Sequence, residues 1–410
     1  MGTAAPAQTH YDSPYSWIRL AVCVLVATIG NIGMWSVVVV LPAVQAEFGV
    51  DRSDASLPYT TTMVGFAIGN VVIGRYVDRF GLALPLAIAG AANGVGFMLA
   101  GVSGSLWLFA LTQGVLIGIG TGANFGPLLA DISHWFKRRR GFAVAAAAGG
   151  NYLAGAVWPP AMQPFLDDYG WRATYVGIGI LILVTVVPLA LTLSRRLPHA
   201  DAATTAGEAA LLKPMSLSPR TLQALLILAG LGCCVAMSMP QVHIVAYCAD
   251  LGYGAARGAE MLALMLAGGI ASRLLSGVVA DRIGGVPTLL IGSIAQAASL
   301  LFYIPFDGLA SLYAVSLLFG LSQGGIVPCY AIIVREYFPS REAGQRTGLI
   351  IMATIVGMAL GGWVSGWIYD VTGSYRAAFL NGIAWNLLNV ITMVFVLFRT
   401  GRPKAGMVAA

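Results

Sequence analysis

The sequence predicts an all-α membrane protein, with twelve spanning helices arranged as two pseudo-symmetric bundles of six. Three observations carry this. Hydrophobic residues make up 58% of the 410 and charged residues only 10%, whereas soluble domains carry roughly 25% charged residues. The apolar residues fall in blocks long enough for the roughly 20-residue helix that crosses a bilayer. Landmarks of the first half also return in the second at offsets of 202 to 204 residues.

The elements follow in chain order. Residues 1–16 are polar and lack the basic region and cleavage site of a signal peptide, so they read as a tail. Apolar blocks at 17–46, 57–77, 81–102, 106–132, 141–166 and 172–194 are bounded by charges or by glycine and serine. They make the first bundle, 17–195. The polar connection 196–219 holds Pro198, Pro214, Pro219, Asp201 and Glu208 and divides the chain near its midpoint. Blocks at 221–249, 258–280, 286–306, 310–335, 343–369 and 376–398 make the second bundle, 220–399, and 400–410 is a second tail. Glycine is abundant, at 51 residues, which suits helices that pack closely in lipid.

Basic residues orient the bundle. Eighteen of the 23 fall on loops and tails of one side, among them Lys137, Arg138, Arg139 and Arg140. Four (Arg52, Arg172, Arg257 and Arg376) fall on the other, and Arg273 lies inside a helix. Both termini are therefore expected in the cytoplasm, with the chain in a cell membrane of the bacterial inner-membrane kind. The net charge of +6 reads as this topology signal and as contact with anionic lipid, and not as nucleic-acid binding. The five cysteines lie in or beside apolar blocks without metal-ligand spacing, as small apolar fillers. No metal or cofactor is expected. Nothing resembles a nucleotide loop or a nucleophile with its base, and no soluble segment is long enough for a catalytic unit, so an enzyme is excluded.

The strongest repeat is Gly74-Arg-Tyr-Val-Asp78-Arg79-Phe-Gly81 with Gly277-Val-Val-Ala-Asp281-Arg282-Ile-Gly284. A carboxylate at a helix end can accept bonds from a neighbouring helix N-terminus and pair with arginine. This motif resembles the signature of the major facilitator superfamily. The resemblance implies that Asp78, Arg79, Asp281 and Arg282 latch the outward-open state. A narrower resemblance, to monocarboxylate transporters, lies in Trp135-Phe-Lys137-Arg138-Arg139-Arg140 followed by an Ala/Gly-rich entry to Asn151. Ser272-Arg273-Leu-Leu-Ser276-Gly277 resembles the arginine-bearing helix of those transporters and of bacterial oxalate/formate exchangers, where the arginine binds the substrate carboxylate.

Arg273 can also be weighed on physics alone. It lies eight residues before Asp281, about 12 Å up a helix. A cation there costs about 2.5–3.5 kcal/mol on insertion scales and needs a cavity or partner. The acidic residues sit at helix ends or in loops, so no intramembrane carboxylate is expected to pair with it. Its planar fork suits a carboxylate from outside; the competing reading has it satisfied by backbone carbonyls or snorkelling. The exchangers carry a second cation in the eleventh helix, whereas 348–367 here has no charge. One cation balances one carboxylate, which favours a monoanion.

The resemblance also has gaps. The first helix lacks the lysine of the animal transporters, and Gly269 stands where they have aspartate. His243 is the intramembrane group that titrates nearest neutrality, and the ligand could itself carry a proton. Further cavity candidates are Asn31, Asn124, Asn151, Tyr152, Tyr247 and Gln323, with Tyr330 favoured by the resemblance. The expected function is alternating-access transport of a small lactate- or pyruvate-like monocarboxylate, proton-linked, by a monomer in the bilayer. The alternatives are an oxalate/formate-type anion exchanger and a proton-linked drug or metabolite exporter. Ala110, three residues before Gln113-Gly114, where many proton-coupled relatives carry arginine, weakens the last.

Overall fold

The computed structural model describes residues 11–136, 138–195 and 216–399. The predicted linker 196–219, apart from its last residues, most of the first tail, the last tail and the side chain of Asp78 lie outside the described residues. The described residues are helical throughout their ordered elements, with no strand among them. Eleven helical stretches are apolar and long enough to cross a membrane. One of them, Phe142–Thr192, runs 51 residues, too long for a single span. Gly170 breaks it with φ 75° and ψ 168°, giving the fifth and sixth spans and twelve among the described residues. An even number puts the first and last described residues, 11 and 399, on one face, here called the tail face; the opposite one is the far face.

Most helices outlast the apolar blocks that announced them. The second runs Arg52–Phe80 and the eighth Ala255–Ile283, so Arg52 and Arg257, expected in loops, sit in first turns. The apolar block measures the hydrocarbon, but a hydrogen-bonded helix continues through the interface until its backbone is turned away. Gly81 and Gly284, the last glycines of the repeated motif, do the turning at φ 79° and φ 89°. L side chains rarely adopt that conformation, which is why glycine stands there in both halves.

The first, fourth and tenth spans, each expected as one helix, are broken. The first ends at Gly30 and resumes at Ile32. The fourth passes through a π-helical stretch, Gln113–Gly118, and breaks at Asn124 and Phe125 before Gly126–Trp135. The tenth breaks at Gly324 and Gly325, between Leu309–Gln323 and Ile326–Tyr337. The fourth and tenth breaks occupy matching places in the two halves. Pro127 and Pro328 follow them, and proline has no N–H to return to the carbonyl four residues earlier. Each break thus frees a backbone acceptor inside the membrane.

Two seams join the halves. Along one, the second and eleventh spans touch at their far ends. Thr60 donates to the Ala359 carbonyl at 3.2 Å. Gly362 lets Tyr59 in so closely that an added Cβ would sit 3.1 Å from its ring. Gly366 lies as closely on the Arg52 backbone. Toward the tail face the same spans part around a cavity of about 490 Å³ lined by Val64, Ile68 and Val72 opposite Met352, Val356 and Leu360. Along the other seam, Gly155 and Gly269 admit Leu266 and the Tyr152 ring between the fifth and eighth spans. The far face is closed and the tail-face half of the first seam is split.

Candidate functional site

Arg273 sits where the second seam meets the broken tenth span. Its Nε donates to the Gly324 carbonyl at 3.4 Å, and its Nη1 to Ala148 of the other half at 3.3 Å. The Gly324 carbonyl is the acceptor that Pro328 leaves unused. The guanidinium also lies over the Tyr152 ring, 4.2 Å from its centroid. Gly269 makes this possible: any Cβ there would meet that ring at 2.4 Å. Among the described residues Arg273 has no carboxylate partner. Both bonds to carbonyls are long, so the cation is held in place but not neutralised.

Asn151 and Tyr152 are the two predicted residues brought to this place from the first bundle, each slightly exposed. The Asn151 carbonyl and Oδ1 both accept from Trp35 Nε1, at 3.1 and 3.2 Å, which pins the fifth span to the first. Gln323 directly precedes Gly324. Its Oε1 accepts from Gln241 Nε2 at 2.6 Å, and its own Nε2 is buried without a partner. The fully buried Gln323 side chain is thus turned to Gln241 of the seventh span, while Arg273 meets the tenth span at the Gly324 carbonyl.

The other predicted site residues lie elsewhere. Asn31 and Asn124 occupy the breaks of the first and fourth spans. Each turns its Nδ2 onto a carbonyl four residues back, Ala27 and Gly120, leaving a buried, unpartnered Oδ1. The Asn124 amide packs against Gly30. Tyr330 is fully buried, with its hydroxyl 3.5 Å from Cys233 Sγ and from Asn389 Oδ1, inside the second bundle. Tyr247 packs its ring on Tyr375 and Phe379 toward the far end. His243 is fully buried, bonded to the Gly362 carbonyl and Tyr375. On the tail face, Arg79 lies over Phe80, and Asp281 and Arg282 are exposed with no ion pair among the described residues.

Sequence reasoning missed a polar cluster that closes the far face. Arg52 Nη2 donates to Asp250 Oδ1 at 3.1 Å and Nη1 to the Tyr375 hydroxyl at 2.7 Å. The Asp370 carboxylate takes the backbone N–H groups of Arg52 and Ser53, both at 2.8 Å, so an acid of one half caps a helix of the other. It also missed Arg19, which forms a two-pronged pair with Asp131 at 2.8 and 3.0 Å. Only one hint was available: Arg52, Asp250, Asp370 and Tyr375 all sit at the far ends of their blocks.

The sequence pattern of the Major Facilitator Superfamily matches residues 23–310 and 261–409. The chain belongs to the Major Facilitator Superfamily. It is a multi-pass transporter and not an enzyme. Monocarboxylate transporter 13 of Bos taurus is 28% identical to it over 330 residues, 77% of this chain and 75% of that one. Monocarboxylate transporter 11 of Mus musculus is 27% identical over 385 residues, 90% and 84%. MFS-type transporter pynF of Aspergillus niger is 27% identical over 305 residues, 73% and 68%. Among solved structures, a bacterial homologue of the human lysosomal transporter Spinster, inward-facing and occupied, superposes with a TM-score of 0.71 at 14% identity, covering 95% of this chain and 97% of that one. This last likeness concerns the fold.

Proposed function

We propose that this transporter is a secondary carrier of a small organic monocarboxylate, working by alternating access with Arg273 as the anchor of the carboxylate. The observation that carries the reading is a membrane-embedded guanidinium at the seam between the halves, without a carboxylate among the described residues and held by two long carbonyl bonds. An incoming carboxylate offers it a shorter, charge-assisted, two-pronged bond. Tyr152, whose ring lies under the guanidinium, completes the binding surface. The curated relatives named monocarboxylate transporters support the substrate class. In this reading the tail face is cytoplasmic, the linker 196–219 and both tails lie there, and proton-linked symport by a monomer drives accumulation. The asymmetry of basic residues supports the orientation.

Uptake of labelled lactate, pyruvate and formate into proteoliposomes tests the proposal. Wild type is expected to accumulate at least one of them, and Arg273→Ala none. Undiminished carboxylate uptake by Arg273→Ala overturns the role of Arg273. Transport of amines or neutral drugs but no carboxylate overturns the substrate class.

A further inference from the structure

The far-face cluster contains an ordered chain of donors ending on a titratable group. The Gly362 carbonyl can only accept, so His243 Nε2, 2.7 Å away, carries the hydrogen. Neutral imidazole then has Nδ1 as an acceptor, and the Tyr375 hydroxyl, 3.2 Å away, donates to it. The Tyr375 oxygen in turn accepts from Arg52 Nη1. Every donor in the series Arg52, Tyr375, His243, Gly362 points the same way, and the series crosses from the first half to the second. His243 has no free position for a second proton. Protonated, its Nδ1–H would meet the Tyr375 O–H that now donates to it and displace that donor from its acceptor, and it would place a cation beside the Arg52 guanidinium in a buried site. The charged groups around it are Arg52 of the second span, Asp250 of its own span and Asp370 of the eleventh. The tyrosines are Tyr59, Tyr369 and Tyr375.

We propose that His243 is a proton-binding site that exists only when the far-face cluster of Arg52, Asp250, Asp370 and Tyr375 is open. The inference rests on alternating access and stands whichever anion is carried. Opening the seam carries Arg52 away with the second span, releases the Tyr375 hydroxyl and frees Nδ1 to face water. A proton taken up there holds the cluster apart, because the closed arrangement has no place for it. Acid on the far face thus biases the carrier toward its far-open form, and His243 must lose its proton before that face reseals. An imidazole open to water titrates near pH ~6.5. Lowering the pH from about 7.5 to about 5.5 should therefore raise the ratio of far-open to far-closed molecules by about tenfold for one linked proton.

The test is a distance measurement by pulsed electron resonance between spin labels at Asp54→Cys and Val371→Cys, in lipid nanodiscs without substrate. Both positions are exposed at the far ends of the second and eleventh spans, and the native cysteines are buried. The otherwise native pair should show a short-distance population that yields to a longer one as the pH falls. Adding His243→Gln, which can still donate to Gly362 and accept from Tyr375, should keep the short distance at both pH values. Adding Asp370→Asn should lengthen it at both. A wild-type distribution that ignores pH, or a pH response unchanged by His243→Gln, overturns the inference. If the glutamine variant does not fold, Tyr375→Phe serves: it removes the bond that favours the neutral ring, so a pH response as large as wild type's overturns the inference and a diminished one supports it. No substrate enters the measurement, so its failure is distinguishable from failure of the carboxylate assignment.

Discussion

Arg273 was legible in the sequence because a lone charge in an apolar block has few tolerable surroundings. Its surroundings were not legible. That Tyr152 stacks on it depends on Gly269, and a glycine at that position reads from the sequence only as the absence of an aspartate. The structure turns that absence into space: the ring occupies what a side chain at 269 would fill. A cation–π contact contributes about 0.5–2 kcal/mol. Tyr152→Leu should therefore raise the half-saturation constant of a transported carboxylate about two- to thirtyfold, while Tyr152→Phe keeps it near wild type. Gly269→Ala should act in the direction of Tyr152→Leu, because the methyl displaces the ring. Initial-rate uptake by the three variants checks this, and equal constants for the leucine and phenylalanine variants would remove the ring from the site. Tyr330 teaches the opposite lesson. The resemblance placed it at the cavity, but its hydroxyl is turned among Cys233 and Asn389 in the second bundle, a choice of rotamer and neighbours that no local pattern records.

At the scale of the element, the twelve spans were readable because hydropathy reports the thickness of the hydrocarbon. The breaks within spans were not, since they leave hydropathy unchanged. What marks them is backbone chemistry: Gly324 and Gly325 relax the helix, and Pro328 cannot return a hydrogen bond to the Gly324 carbonyl. That carbonyl faces Arg273 as a result. Pro328→Ala supplies an N–H that can reclaim it and draw the tenth span into one helix. A net backbone bond contributes about 1 kcal/mol, so the variant should melt a few degrees higher, and its carboxylate half-saturation constant should rise about fivefold as Arg273 loses its anchor. Thermal unfolding in detergent and uptake kinetics check the two halves of this prediction separately. A variant that is stabilised yet transports as wild type would detach the break from the site.

At the scale of the whole molecule, the repeat of about 203 residues made the two bundles legible, but equivalent positions of the two make different contacts. Trp171 and Tyr375 hold matching places. Trp171 turns inward on Glu47 of its own half, but Tyr375 reaches across to Arg52. The far-face cluster gathers residues 52, 250, 370 and 375, positions that only the folded topology brings together, so no motif could announce it. This seam is shut at its far end and its tail-face half is parted around the Val64–Met352 cavity, so alternating access needs the opposite arrangement as well. Transport then requires the second and eleventh spans to separate at Thr60 and Ala359 and close nearer the tails. Cysteines at those two positions, which now share a hydrogen bond, should form a disulfide on oxidation. The oxidised carrier should still bind the carboxylate reached from the tail face but should move none of it, and reduction should restore uptake. Binding by calorimetry and flux in proteoliposomes, before and after reduction, decide the matter. Undiminished flux through the cross-linked protein would mean that this seam is not one of the moving parts.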